Sequence, residues 1–135
     1  SSGCAPIVDA FEKGFNHATA WDNANTVASG IRVPVAIGDF LILDAIRQSN
    51  GFAFAVEDEH IIETRDIISK EDGLLLCPEG AATAAGYQIA LEKGIINKDE
   101  KVVLFNCASG LKYPIPDTNK KIDKDSDLEF SKFSI

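Results

Sequence analysis

The sequence has no methionine, one tryptophan, two histidines and three arginines in 135 residues. The missing methionine fits either removal of an initiator before Ser1 or a segment that begins inside a longer protein. Cysteine is sparse: Cys4, Cys77 and Cys107 are odd in number, widely spaced and form no C-x-x-C pair. That excludes a disulfide framework and reads as reduced thiols in a cytoplasmic setting. His17 and His60 stand at no ligand spacing from a cysteine, so no metal site is expected. Positive charge is short, with 13 Lys and Arg against 21 Asp and Glu, a net charge of -8 and a pI near 4.6. Such a balance argues against nucleic acid and anionic membranes as partners, since both are held by clustered Lys and Arg. No apolar run approaches the roughly 20 residues a membrane span needs, and no signal-peptide pattern opens the chain. G-x-S-x-G, Walker A and H-E-x-x-H are all absent.

What is present is an ordinary globular composition, 45% hydrophobic and 25% charged, long enough for one domain with a real core. Pro6 opens a short helical pattern that closes at Lys13-Gly14, and Gly38-Asp39 opens a second that closes at Ser49-Asn50-Gly51. A third pattern runs from an Asp58 cap to about Lys70, with Ile61, Ile62, Ile67 and Ile68 inward. An Ala-rich helix spans Gly80 to Lys93, stopped by Gly94. Between these lie three short apolar runs: Phe52–Val56, Leu74–Cys77 and Val102–Phe105. Short continuous apolar strands alternating with helices predict an α/β fold of three layers, a mostly parallel sheet with helices on both faces. Residues 1–116 form the folded part and residues 117–135 a charged surface tail.

Sheets of that kind bind ligands beyond the carboxyl ends of their strands. Two loops stand there by position: Pro78-Glu79-Gly80-Ala81, and Asn106 to Gly110 with its amide, thiol, hydroxyl and open backbone. Arg32, in the glycine-containing Ser29-Gly30-Ile31-Arg32 loop, is suited to grip phosphate or carboxylate with two parallel hydrogen bonds. Spacing alone also allows a polar turn at 106–110, a helix cap at Glu79 and a surface ion pair at Arg32. Cys4 and Cys77 read as small buried hydrophobes.

Four strings go further. Ser1-Ser2-Gly3-Cys4-Ala5-Pro6-Ile7, Val27-Ala28-Ser29-Gly30-Ile31-Arg32-Val33-Pro34, Cys77-Pro78-Glu79-Gly80-Ala81-Ala82-Thr83 and Phe105-Asn106-Cys107-Ala108-Ser109-Gly110-Leu111-Lys112-Tyr113-Pro114 together resemble the bacterial threonine synthases, in order along nearly the whole chain. The resemblance implies the tryptophan-synthase-like fold and the cofactor pyridoxal 5'-phosphate (PLP). It implies conversion of O-phospho-L-homoserine and water to L-threonine and phosphate. Cys107 then stands where the family often has Thr, near the pyridine nitrogen of PLP, flanked by Asn106 and Ser109, with Glu79 completing the cofactor side. Arg32 with Ser29 resembles the anchor for the substrate's phosphate.

The same resemblance makes residues 1–116 the C-terminal part of the family's catalytic domain and places its Schiff-base lysine and phosphate-cradling loop N-terminal to Ser1, so no catalytic residue is expected here and the chain alone is expected to be inactive. Lys112 is not the family's catalytic lysine, and Lys13, Lys70, Lys93, Lys98 and Lys101 fall where solvated lysines belong. Exposed apolar surface is expected where the N-terminal half of the enzyme, or a second copy in a homodimer, packs. Two other readings stay open: a portion of a serine or threonine dehydratase-like PLP lyase, and a non-catalytic interaction module derived from such an enzyme.

Overall fold

The structure, a computed structural model, describes residues 1–114 and residue 125. The tail expected at 117–135 lies, save for Asp125, outside the described residues. Among the described residues four α-helices follow one another: α1 (Pro6–Glu12), α2 (Asp39–Gln48), α3 (Asp58–Glu71) and α4 (Pro78–Glu92). Single 3-10 turns occur at Ser29–Ile31 and Gly110–Lys112. Pro6 and Pro78 sit in the first turns of α1 and α4, where a missing N–H costs nothing. Gly14, Gly73 and Gly94, past the ends of α1, α3 and α4, have positive φ; that left-handed conformation ends a helix and suits glycine. No helix among the described residues is long and apolar enough to cross a membrane.

α3 and α4 pack on each other, and α1 on α2. The core is a cluster of Ala28, Val56, Ile61, Ala81 and Ala85, with Phe54, Leu76, Ala82 and Ile89 against it. The alanines of α4 let α3 and the 28–31 turn approach closely, and fully burying Ile61 contributes about 2 kcal/mol. The inward face of α3 differs from the expected one. Ile61 and Thr64 are buried and Ile68 is half-buried, whereas Ile62 and Ile67 are exposed. Positions 61, 64 and 68 share one stripe at 3.6 residues per turn; 62 and 67 fall outside it.

Asp58 does not cap α3 either. Glu57 is the N-cap residue, without a side-chain cap bond. Asp58 Oδ1 instead accepts from Ser1 Oγ at 2.8 Å and Thr26 Oγ1 at 2.6 Å, and Oδ2 from the Val27 N–H at 2.8 Å. Ser2 N–H donates to Val56 O at 2.9 Å and Asn25 N–H to Gly3 O at 3.1 Å. Residues 1–3, 25–27 and 56–58 thus form one junction.

The three apolar runs form no ladder among the described residues. Their one bridge joins Leu76 to Ser109 and is antiparallel. A strand's N–H and C=O groups need a neighbouring strand, and these runs find too few neighbours here: Val103 is 93% and Phe105 76% exposed. Phe52, Phe54 and Val56 nonetheless share an apolar cleft with Val102 and Leu104, floored by Ala82, Gly86 and Ala90 of α4. The first and third runs therefore cover the same helix.

Candidate functional site

The antiparallel contact builds the site. Cys77 N–H donates to Ala108 O at 3.3 Å and Gly110 N–H to Leu75 O at 2.9 Å. The 106–110 loop is thereby laid alongside the start of α4. Cys77 is the N-cap of that helix: its sulfur accepts from Gly80 N–H at 3.3 Å. The Cys77 thiol donates to Asn106 Oδ1 at 3.2 Å and lies 3.8 Å from Cys107 Sγ.

Glu79, in the first turn of α4, is only 5% exposed. Its Oε1 accepts from Gly30 N–H at 2.6 Å, which ties the Ser29–Ile31 turn to the helix start. Its Oε2 is buried with no hydrogen-bond partner. Two glycines admit this packing. A Cβ on Gly80 would stand 2.0 Å from Asn106 Oδ1, and one on Gly30 would stand 2.8 Å from Glu79 Oε1.

Electrostatics follow from these contacts. Burial pushes Glu79 up, but the Tyr113 hydroxyl, its own and the Gly30 backbone N–H groups and the Cys77 thiol outweigh it and hold the carboxyl below its ordinary range. The Tyr113 hydroxyl acts on this carboxylate without meeting hydrogen-bond geometry at Oε2. Glu79 in turn pushes Tyr113 up to about 12. The Cys107 thiol is pushed up, first by its hydrogen bond with Cys77, then by desolvation and by negative charge on Cys77 and Glu79.

Of the residues picked from the sequence, Glu79, Asn106 and Cys107 come together. Asn106 and Cys107 are exposed, Glu79 buried. Ser109 points its hydroxyl to its own turn, accepting from Leu111 N–H at 3.3 Å. Ser29 and Arg32 are exposed at the two ends of the turn that Glu79 holds. Reading the sequence missed Cys77 as a cap, Gly30 as the partner of Glu79, and Tyr113. The residue before a proline that opens a helix is its N-cap, which could have found Cys77; the other two pairings are long-range. Every lysine among the described residues is exposed.

A family model described as pyridoxal-phosphate dependent enzyme matches residues 1–108. The threonine synthase of Methanocaldococcus jannaschii is 37% identical over 114 residues, 84% of this chain and 28% of that protein. That of Methanosarcina acetivorans is 34% identical over the same shares, and that of Bacillus sp. 31% identical over 69% of this chain and 26% of its own length. The chain thus spans little more than a quarter of the curated relatives it matches.

Proposed function

This chain belongs to the pyridoxal-phosphate dependent enzyme family, and on that premise we propose that it is a portion of a threonine synthase. The α/β class follows from that membership. The complete enzyme, in this reading, converts O-phospho-L-homoserine and water to L-threonine and phosphate in the cytoplasm. One observation carries the proposal: three of the four strings that resemble the family, at 29–32, 77–80 and 106–107, meet around Glu79 and Cys77.

The residues present fit one side of the cofactor. PLP, when bound, supplies the electron sink for the carbanion chemistry. Cys107 is exposed on a loop fixed by backbone pairing, and its raised pKa keeps it a neutral thiol at pH 7, able to hydrogen-bond a ring nitrogen. Asn106 and Ser109 flank it. Glu79, ionised at that pH, fixes the 29–32 turn through Gly30 N–H. Arg32 at the end of that turn then offers its fork of N–H donors to the substrate's phosphate, with Ser29 beside it.

No lysine among the described residues is buried, as a cofactor-bearing lysine would be. The lysine that carries the cofactor, and the loop that holds its phosphate, belong to the remainder of the enzyme. The same remainder, or a second copy, supplies neighbours for the runs at 52–56, 74–77 and 102–105, completing a mostly parallel sheet. The test is release of threonine and phosphate from O-phospho-L-homoserine and PLP. It compares this chain alone, the preceding part of a threonine synthase alone, and the two mixed. Activity only in the mixture is expected; turnover by this chain alone overturns the placement of the lysine.

A further inference from the structure

We propose that Cys77, Cys107 and Glu79 form a binding site for a soft divalent cation of the zinc type. The two sulfurs are 3.8 Å apart, and a carboxylate oxygen of Glu79 lies within 4.8 Å of both. Two thiolates bound at about 2.3 Å to one tetrahedral zinc stand about 3.8 Å from each other. The sulfurs therefore already hold the separation that a shared ion requires. The backbone fixes them there, Cys77 as the N-cap of α4 and Cys107 one residue before the Cys77 N–H to Ala108 O bond.

A second observation points to a ligand independently. Glu79 is more than nine-tenths buried, yet Oε2 has no hydrogen-bond partner. A buried carboxylate oxygen left without a donor is costly, and a cation beside it removes the cost. The donor set of two thiolates and one carboxylate selects zinc, cadmium or cobalt over magnesium or calcium. Ion binding displaces the proton of each thiol, so the ion and the cofactor contact proposed for Cys107 exclude each other. Cys107 is exposed and gives the ion access from solvent. The set supplies three ligands and leaves the fourth position to water. Sequence spacing pointed to no metal because Cys77 and Cys107 are 30 residues apart; only folding brings them together.

The probe is Co²⁺, titrated into the full 135-residue chain under a phosphine reductant, without PLP, so that the outcome is independent of the cofactor reading. One equivalent is expected to bind with thiolate-to-cobalt charge-transfer absorption and tetrahedral visible bands, both lost when Zn²⁺ displaces it. Cys107→Ser, at an exposed position, is expected to halve the charge-transfer intensity and weaken binding at least about tenfold. Glu79→Gln keeps the full charge-transfer intensity per bound ion but binds more weakly. Cys4→Ser, with the third cysteine removed, binds like the parent. Circular dichroism matching the parent confirms that each variant is folded. Binding without charge-transfer absorption, or charge-transfer unchanged in Cys107→Ser, overturns the site.

Discussion

Two acidic residues open the neighbouring helices α3 and α4, and their surroundings are opposite. Asp58 has both oxygens occupied, by Ser1, Thr26 and Val27. Glu79 has Oε1 on Gly30 N–H and no hydrogen-bond partner on Oε2, with the Tyr113 hydroxyl and two thiols acting on it from nearby. Both are partly desolvated, and in both, hydrogen bonds outweigh burial and lower the pKa. A saturated carboxylate joins chain segments; a half-satisfied one retains acceptor capacity for something else. The 1–3, 25–27, 56–58 junction is thus a structural joint, whereas the start of α4 keeps a buried acceptor without a hydrogen-bond partner.

The comparison breaks first at its glycines. A Cβ on Gly3 would sit 1.8 Å from Asn25 O, a backbone atom. Gly3→Ala is expected to destabilise by about 3 kcal/mol, the upper range for overpacking. At Gly80 the obstacle is the Asn106 side chain, which is exposed and can rotate away. Gly80→Ala should cost about 1 kcal/mol. Urea midpoints of the two variants measure this, and equal shifts would abolish the distinction between joint and site.

Asp58→Asn comes next. The new amide would face the Val27 N–H with a donor, and about 2 kcal/mol is expected to be lost at pH 7. The pKa of Asp58 is lowered on folding, first against burial by the Thr26 hydroxyl, then by the Ser1 hydroxyl and the Val27 N–H. Its stabilisation is therefore complete above the ordinary value of 3.8 and disappears as pH falls through the lower folded value. The gap between parent and Asp58→Asn should close in that acid range; a gap that persists means that the carboxylate charge is not what holds the joint. Cys77→Ala, which removes the sulfur cap on Gly80 N–H, should cost about 1 kcal/mol, with Cys77→Ser restoring most of it.

The sequence carried the helices well and the pairings badly. Pro6, Asp39, Pro78 and the glycines after α1, α3 and α4 mark ends through local backbone rules, so boundaries were legible within a residue or two. The start of α4 at Pro78, not Gly80, and the N-cap at Cys77 needed only the proline rule. The sheet was different. Apolar runs at 52–56, 74–77 and 102–105 read as strands by composition, but pairing is long-range, and among the described residues the one bridge is Leu76 to Ser109. In the site, the residue types at 79, 106 and 107 were legible, as was the resemblance that joins them. The Gly30 to Glu79 and Cys77 to Cys107 contacts span 49 and 30 residues, and no local pattern encodes such distances.

The smallest effect on stability is expected at Glu79 itself. Glu79→Gln keeps Oε1 as acceptor for Gly30 N–H and removes a buried charge whose second oxygen has no partner. Stability at pH 7 should stay within about 1 kcal/mol of the parent, against the larger loss at Asp58. The charge would register on Cys107 instead. That thiol is held up first by Cys77, but also by the negative charge of Glu79. Removing the charge favours the thiolate, which is the reactive form, so alkylation of exposed Cys107 by iodoacetamide near pH 8 should accelerate in Glu79→Gln. Peptide mapping separates it from buried Cys4 and Cys77. An unchanged rate together with a large loss of stability would make Glu79 a second Asp58, a joint and not a site.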